Sequence, residues 1–515
     1  TNAQCTTKLS AGGSMVPAVC VHDTAPRCVA LKTEDCQTIT GDVMDENAVL
    51  IASLGATTGA QAATNIARQQ AAMMAVEEIN ASNASNGILM STNPGDARKL
   101  VMLSCDANAN LARAATHLIT ELHVPAIVGP NLSQDTLDLT LGNRGLPSSA
   151  QAGTVLMSPS AVASAIATIP DNGFSFMMVP SDIQRVPLML QRIRDLETQI
   201  KAQPGRTKPV KLGIWYRGDA LGQGTRDGLA AAPVLINGGS LTAAINAGNA
   251  REDMYDPLST DNSAQIQAYV TTLQPDIIVV IGTAEAVTYF TKPLEAAWPT
   301  GTSAPPRPLY VAIDSTKVPE LLTEVTGAAA SAAADERKRW SGTGVTPTPE
   351  SAEVFNFFQG EYSQRYKDMN GKPAPATVSG MGPAYDAVYT IALSLVGKRD
   401  PVITGAMITA GMQNLATNMQ TCASDASGIL APCFRISDHS RTLSQDMSML
   451  LGAQKVTEIG TFGRLEWDSQ GAKSSGLIEL WCINGSGPNP VYASSGATYD
   501  VKSQTMGPNP YTQCP

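Results

Sequence analysis

From residue 49 onward, short continuous apolar runs alternate with longer amphipathic stretches, and this alternation limits the fold more than any other feature of the chain. The runs cover residues 49–54, 100–103, 126–128, 154–157, 174–179, 212–216, 276–281 and 309–313. Most are continuously apolar rather than alternating, which is the pattern of strands buried on both faces of a parallel sheet. Between them, Ala62, Ile66, Met73, Val76 and Ile79 share one helical face, and Leu111, Ala115, Leu118 and Leu122 recur at helical spacings. Repeated β-α alternation predicts an α/β protein with right-handed crossovers.

The chain has 515 residues, enough for about two to four domains. Its 35 Lys and Arg against 45 Asp and Glu give a net charge of -10, so it carries no overall footprint for a polyanion, and nucleic acid is not an expected partner. Hydrophobic residues make up 43% and charged residues 16%, which places the chain among globular rather than disordered sequences. No run approaches the roughly 18 apolar residues a membrane span needs. The N-terminus lacks a basic region followed by an apolar core, so an export signal is expected to have been removed before Thr1, leaving a mature form.

Nine cysteines indicate the compartment. Cys5, Cys20, Cys28 and Cys36 lie in the first 36 residues, a segment rich in turn residues, and residues 1–43 are expected to form a disulfide-stapled segment in an oxidising space. Cys422 and Cys433 flank a polar loop, and Cys482 and Cys514 can anchor the C-terminal tail. Cys105 is then left over, although other pairings are equally allowed. A zinc site would need close Cys pairs, but no Cys-x2-Cys occurs and His22, His117, His123 and His439 are scattered. No metal is expected.

Two stretches look like boundaries: residues 179–182, where an apolar run ends in Pro and a polar cap precedes a new helix, and the Gly, Thr and Pro stretch 340–349. A long, mostly helical region at 351–396 follows, in which Phe355, Phe358, Tyr362 and Tyr366 form an aromatic stripe that reads as core. Residues 203–208 and 299–308 read as surface loops.

The motif most like a cofactor site is Gly222-Gln223-Gly224-Thr225-Arg226-Asp227-Gly228. It reads G-x-G-x-x-x-G, not G-x-G-x-x-G, and a five-residue loop separates it from the preceding strand, so its glycines are read as those of a helix start and no cofactor is expected. No Gly-x-Ser-x-Gly elbow, phosphate-binding loop or His-Glu-x-x-His helix occurs, and an enzyme is not expected. Glu77 and Glu78 are adjacent on a helix, cannot face one another, and are expected to be solvated.

What remains are polar loops at strand C-termini, where open α/β sheets bind ligands. Ser133 and Gln134 follow the run 126–128. Ser158, Ser160, Ala161 and Val162 follow the run 154–157 and would offer backbone N–H groups at a helix start to a carboxylate. Asp314 follows the run 309–313 and offers a carboxylate. An anion subsite with an acidic subsite describes a zwitterion, although serines and aspartates here can equally be ordinary helix caps.

The ordered motifs Ser53-Leu54-Gly55-Ala56-Thr57-Thr58-Gly59, Ala75-Val76-Glu77-Glu78-Ile79-Asn80, Ala126-Ile127-Val128-Gly129-Pro130, Met157-Ser158-Pro159-Ser160-Ala161, Ala384-Tyr385-Asp386-Ala387-Val388 and Gly463-Arg464-Leu465-Glu466-Trp467-Asp468-Ser469-Gln470-Gly471 span most of the chain. Together they resemble the periplasmic branched-chain amino-acid-binding proteins, the type I solute-binding proteins of ABC importers and related receptors. The resemblance implies two doubly wound, Rossmann-like lobes joined by three hinge crossovers, near 179–182, 341–346 and 451–461. Lobe one would comprise 44–180 and 347–450, and lobe two 181–346 and 451–515, with the Cys-rich segment 1–43 outside the resemblance. That segment looks like the front of an exported lipoprotein, anchored through a lipidated Cys upstream of Thr1.

By the same resemblance, Ser133 meets a ligand carboxylate, the turn Ser160-Ala161-Val162 supplies backbone donors beside it, and Asp314 meets the ammonium. Val162 stands where a Thr is expected, Leu221 where an aromatic covers the ligand, and Thr283 where a Tyr is common. These departures point away from a leucine-like ligand, toward a different small molecule or a degenerate site. The expected function is that of a monomeric, periplasmic or cell-surface solute-binding protein that captures a small polar, amino-acid-like ligand between its lobes and delivers it to the membrane permease of an ABC importer. The alternative is a ligand-sensing receptor or scaffold on the same fold without transport.

Overall fold

The computed structural model describes residues 1–10, 14–22, 25–82, 86–327, 336–367, 371–376, 378–415, 433–437, 443–485, 489–508, 511 and 514. The chain divides into two compact units. The first is Thr1–Ala161, Ile166–Val179 and Pro347–Gly476, and the second is Val162–Ala165, Pro180–Thr346 and Leu477–Pro515.

The first unit is built on a six-stranded sheet in the order Cys36–Thr40, Leu100–Asp106, Val49–Gly55, Ala126–Val128, Val155–Ser158 and Ser175–Met177. All neighbours are parallel except the first pair. Strand alternation divides the apolar side chains between two cores. Ile51, Met102, Val128 and Met157 pack with the helices Ala62–Ala81 and Met381–Ser394, whereas Ala52, Leu54, Leu103, Ile127 and Leu156 pack with Leu118, Leu122 and Leu139. Met381–Ser394 is buried along its whole length, as befits a helix apolar on every side. Phe358 and Tyr362 of the aromatic stripe are buried in the same core, and Phe355 and Tyr366 pack against it.

Residues 1–43 are part of this unit, not a separate segment. Cys36–Thr40 is an edge strand of the sheet, and Cys36 is disulfide-bonded to Cys105 directly opposite. The short strands Ala18–His22 and Pro26–Ala30 pair with each other and bury Val21 and Val29 in the second core. The helix Asn2–Leu9 is tied to them by Cys5–Cys28. Cys105 is therefore paired, and Cys20 is the free cysteine among the described residues. Cys482–Cys514 anchors the tail as expected. Cys422 lies outside the described residues.

In the second unit an eight-stranded sheet runs in the order Ala250–Tyr255, Leu212–Arg217, Ile277–Ile281, Leu309–Ala312, Trp340–Thr346, Leu477–Asn484, Val491–Asp500 and Thr505–Met506. The first five strands are parallel and the last three antiparallel additions. Trp340–Thr346, which its Gly and Thr content marks as a linker, is the strand that joins these two halves. Its small residues make room for Trp481: a Cβ on Gly342 would stand 2.5 Å from the indole ring. Trp215, Phe290, Tyr310, Trp340 and Trp481 form the aromatic core of the unit, with Trp215 and Phe290 stacked at 4.0 Å.

Residues 451–476 belong to the first unit, so the last passage of the chain into the second falls at Gly476–Leu477 rather than within 451–461. The cause is local pairing. Thr457–Gly460 runs parallel to Cys433–Arg435, and buried Asp386 accepts hydrogen bonds from the Thr461 N–H and Oγ1 at 2.9 Å each. No helix among the described residues is long and apolar enough to cross a membrane.

Candidate functional site

In the first unit the candidate side chains lie at or beyond the C-terminal ends of two neighbouring parallel strands, Ala126–Val128 and Val155–Ser158. Gly129, in the turn after Ala126–Val128, has φ 122°, and a Cβ there would sit 2.2 Å from the Leu54 carbonyl oxygen. Only glycine lets this turn press against the neighbouring strand. Ser133 opens the helix Ser133–Leu141 and is buried. Gln134 Nε2 donates to Asp138 at 3.0 Å, which holds it along its own helix. Ser158 Oγ donates to the Pro130 carbonyl and accepts from the Ala161 N–H at 3.1 Å. Ser160 Oγ donates to the Asn131 carbonyl at 2.8 Å.

The expected helix start after Ser158 is replaced by irregular chain and a 3-10 turn at Ser164–Thr168, because the serine hydroxyls already bond the local backbone. The Ala161 N–H, one of the expected ligand donors, is engaged by Ser158. Sequence reasoning missed a polar chain on the same edge. Asn131 Nδ2 donates to Asn65 Oδ1 at 2.7 Å, and Arg68 donates to that oxygen at 3.3 Å and to the Ser379 carbonyl at 2.8 Å. Asn65 and Arg68 lie in a helix whose apolar pattern gives no sign of them.

In the second unit Asp314 also sits just beyond a strand end, at the start of a 3-10 turn. Arg185 Nη1 donates to its Oδ1, and Arg185 Nη2 donates to the Pro180 carbonyl at 3.2 Å. Both side chains are buried. The expected lone carboxylate is therefore one half of an ion pair, and local sequence carries no signal of this because the partner is 129 residues away. Thr283 follows Ile277–Ile281 and is buried; its Oγ1 donates to Glu285 and accepts from Arg217 Nη1 at 3.3 Å. Glu285 also accepts from Arg217 at 2.7 Å and from the Tyr255 hydroxyl at 2.9 Å, and Arg217 pairs with Asp219 at 2.6 Å. Burial and the neighbouring Glu285 carboxylate hold the Tyr255 hydroxyl well above its usual range. Leu221 lies in the adjoining helix and is buried. Val162 is buried and its carbonyl accepts from the Asp182 N–H at 2.7 Å.

The glycines of residues 222–228 lie within the helix Ala220–Ala230, which Asp219 caps by accepting from the Gly222 N–H at 3.3 Å. A Cβ on Gly222 would meet the Arg217 carbonyl oxygen at 1.9 Å, and one on Gly224 would meet Asp182 Oδ2 at 2.0 Å. These glycines serve close packing. Glu78 departs from expectation: it is 2% exposed and accepts from the hydroxyls of Tyr385 and Tyr389, and burial raises its carboxyl above the ordinary range. Glu77 is half-exposed and pairs with Arg365 at 2.7 Å.

No protein-family model matches the chain, and no curated protein sequence matches it. Solved structures do. The branched-chain amino acid transporter substrate-binding protein LivJ from Streptococcus pneumoniae, in complex with isoleucine, is 16% identical, covers 87% of this chain and 99% of its own, and superposes with a TM-score of 0.54. A possible leucine/isoleucine/valine-binding protein from Rhodopirellula baltica is 15% identical, with 87% and 96% covered and a TM-score of 0.56. A periplasmic binding protein type 1 from Bordetella pertussis is 16% identical, with 87% and 100% covered and a TM-score of 0.51. At these identities the likeness is one of fold, and the fold of this chain is that of the type I periplasmic binding proteins.

Proposed function

We propose that this chain is an exported solute-binding protein that captures a small polar, amino-acid-like ligand and presents it to the membrane permease of an ABC importer. The observation that carries this reading is the likeness of 87% of the chain to LivJ, whose structure holds isoleucine. Disulfides at Cys5–Cys28, Cys36–Cys105 and Cys482–Cys514 fit an oxidising location outside the cytoplasm. The residues proposed to contact ligand are Ser133, Gln134, Ser160 and Ala161 in the first unit and Val162, Leu221, Thr283 and Asp314 in the second. Because Arg185 neutralises much of the Asp314 charge, the ligand is selected more through its carboxylate and hydrogen-bonding groups than through an amine. Binding acts by stabilising one of the states the protein samples, in proportion to differential contacts.

The test is a thermal-shift screen against amino acids, amines and small carboxylates. A ligand at about 100 times its Kd stabilises by about 2.7 kcal/mol. Stabilisation by a carboxylate-bearing solute, lost in Ser133→Ala/Ser160→Ala, is the expected result. A screen in which no solute shifts the transition overturns the reading, and stabilisation by amines alone overturns the proposed selectivity.

A further inference from the structure

The paired strands Ala18–His22 and Pro26–Ala30 set Cys20 directly opposite Cys28. The Leu31 N–H donates to the Pro17 carbonyl at 2.8 Å, which fixes the alternation of the ladder: Val19 with Val29 and Val21 with Arg27 are its hydrogen-bonded pairs, and Cys20 with Cys28 is not. In agreement, the Cys20 N–H turns away from the ladder and donates to Asn2 Oδ1 at 2.9 Å. Residues opposed in this way lie about 4.5 Å apart at Cα with their side chains on one face, within the range a disulfide spans. The protein already bridges one directly opposed antiparallel pair, Cys36 with Cys105. Cys28, however, is bonded to Cys5 on the helix Asn2–Leu9, at a Cα separation of 5.1 Å. A free thiol therefore stands across one strand gap from an existing disulfide. Cys20 also lines a cavity of about 400 Å³ together with Val19, His22, Leu50 and His123, which gives reagents a route to it.

We propose that Cys20 exchanges with the Cys5–Cys28 disulfide, so that this head is a two-state thiol–disulfide switch. The Cys20 thiolate attacks Cys28 Sγ; the Cys20–Cys28 bond forms as the Cys5–Cys28 bond breaks; Cys5 leaves as a thiolate and takes up a proton from solvent equivalent to the one Cys20 lost. Nothing is oxidised or reduced overall, and no outside reagent is consumed. The exchange trades one staple for another. In the first state the helix Asn2–Leu9 is tied to the strands, and in the second the two strands are tied together while the helix is held only by non-covalent contacts such as Thr6 Oγ1 to the Ala18 carbonyl at 3.3 Å.

Tryptic cleavage after Lys8, Arg27 and Lys32 puts the three cysteines in separate peptides. The full chain is held at about pH 8.5, where thiolates form, quenched in acid at intervals, labelled with N-ethylmaleimide and mapped without reduction. A Cys20–Cys28 bridged peptide and label on Cys5 should both increase with time, at a rate independent of protein concentration. In Cys5→Ser, Cys20 and Cys28 should be bridged. Label confined to Cys20 at all times in the unaltered chain overturns the switch, as does a rate that rises with concentration. Two labelled thiols in Cys5→Ser overturn the geometry on which it rests.

Discussion

Arg185 and Asp314 form an ion pair inside the second unit, with their side chains 1% and 7% exposed. Two buried charges of this kind stabilise little by themselves, because desolvation offsets much of their attraction, but each becomes costly when the other is removed. Asp314→Ala is therefore expected to destabilise the protein by about 3–5 kcal/mol, measured by urea denaturation without ligand. Replacing both residues, Arg185→Leu with Asp314→Leu, should lose much less. An Asp314 that served only a ligand would leave the ligand-free transition where it is.

Asp446 and Glu458 lie within hydrogen-bonding reach of each other in the core of the first unit, and among the described residues nothing else bonds to any of their four oxygens. Burial pushes Asp446 up to about 7 and raises Glu458 well above the usual range. In the unfolded chain both titrate near about 4. Their contribution to stability is thus fully present below about pH 4 and is lost as pH rises, for Asp446 through about 7 and for Glu458 through its own raised range, at up to about 1.4 kcal/mol per pH unit for each carboxyl. Urea midpoints taken across this range should fall with pH relative to those of Asp446→Asn/Glu458→Gln, in which this part of the dependence should flatten.

Asp386 holds the Thr461 N–H and Oγ1 from the middle of a buried helix and faces buried Lys473. Burial moves both groups toward neutrality, Asp386 up to about 7 and Lys473 down to about 8, so desolvation outweighs their attraction. Asp386→Ala leaves the buried Thr461 N–H without its acceptor and removes one of the two carboxylates, with Glu466, that favour the charged form of Lys473, at a cost of about 3–5 kcal/mol. Asp386→Asn retains an acceptor for the Thr461 N–H and should lose less than half of that in the same denaturation assay.

Gly224→Ala would put a methyl group 2.0 Å from Asp182 Oδ2. Asp182 cannot easily yield, because its other oxygen accepts from the Ser164 and Ile183 N–H groups at 3.0 and 2.7 Å. Overpacking of this kind costs about 1–3 kcal/mol, read as a lower thermal midpoint. Gly238→Ala is the comparison for space, since nothing lies within 4 Å of its Cβ position; its φ of 77° carries a backbone cost of its own of about 1 kcal/mol.

Strand and helix identities were legible because they depend on periodicity within a few residues. All eight apolar runs are strands, and the aromatic stripe at Phe355, Phe358, Tyr362 and Tyr366 packs as core. The strand Trp340–Thr346 was illegible because its small residues are explained only by Trp481, which arrives from far along the chain. The candidate loops were found because they follow strand ends, but the bonding of their side chains was not, since Ser158 and Ser160 are satisfied by carbonyls about thirty residues upstream.

By itself, then, the sequence determined the α/β alternation, the cysteine-rich head and the loops at strand C-termini, all of which are properties of local pattern and composition. Only the tertiary structure decided that Cys36 pairs with Cys105, that Glu78 is buried beneath Tyr385 and Tyr389, and that Asp314 belongs to Arg185. The physical reason is that burial removes water as a partner. A desolvated thiol, acid or guanidinium is then defined by whichever distant group packing brings against it, and no window of neighbouring residues contains that information.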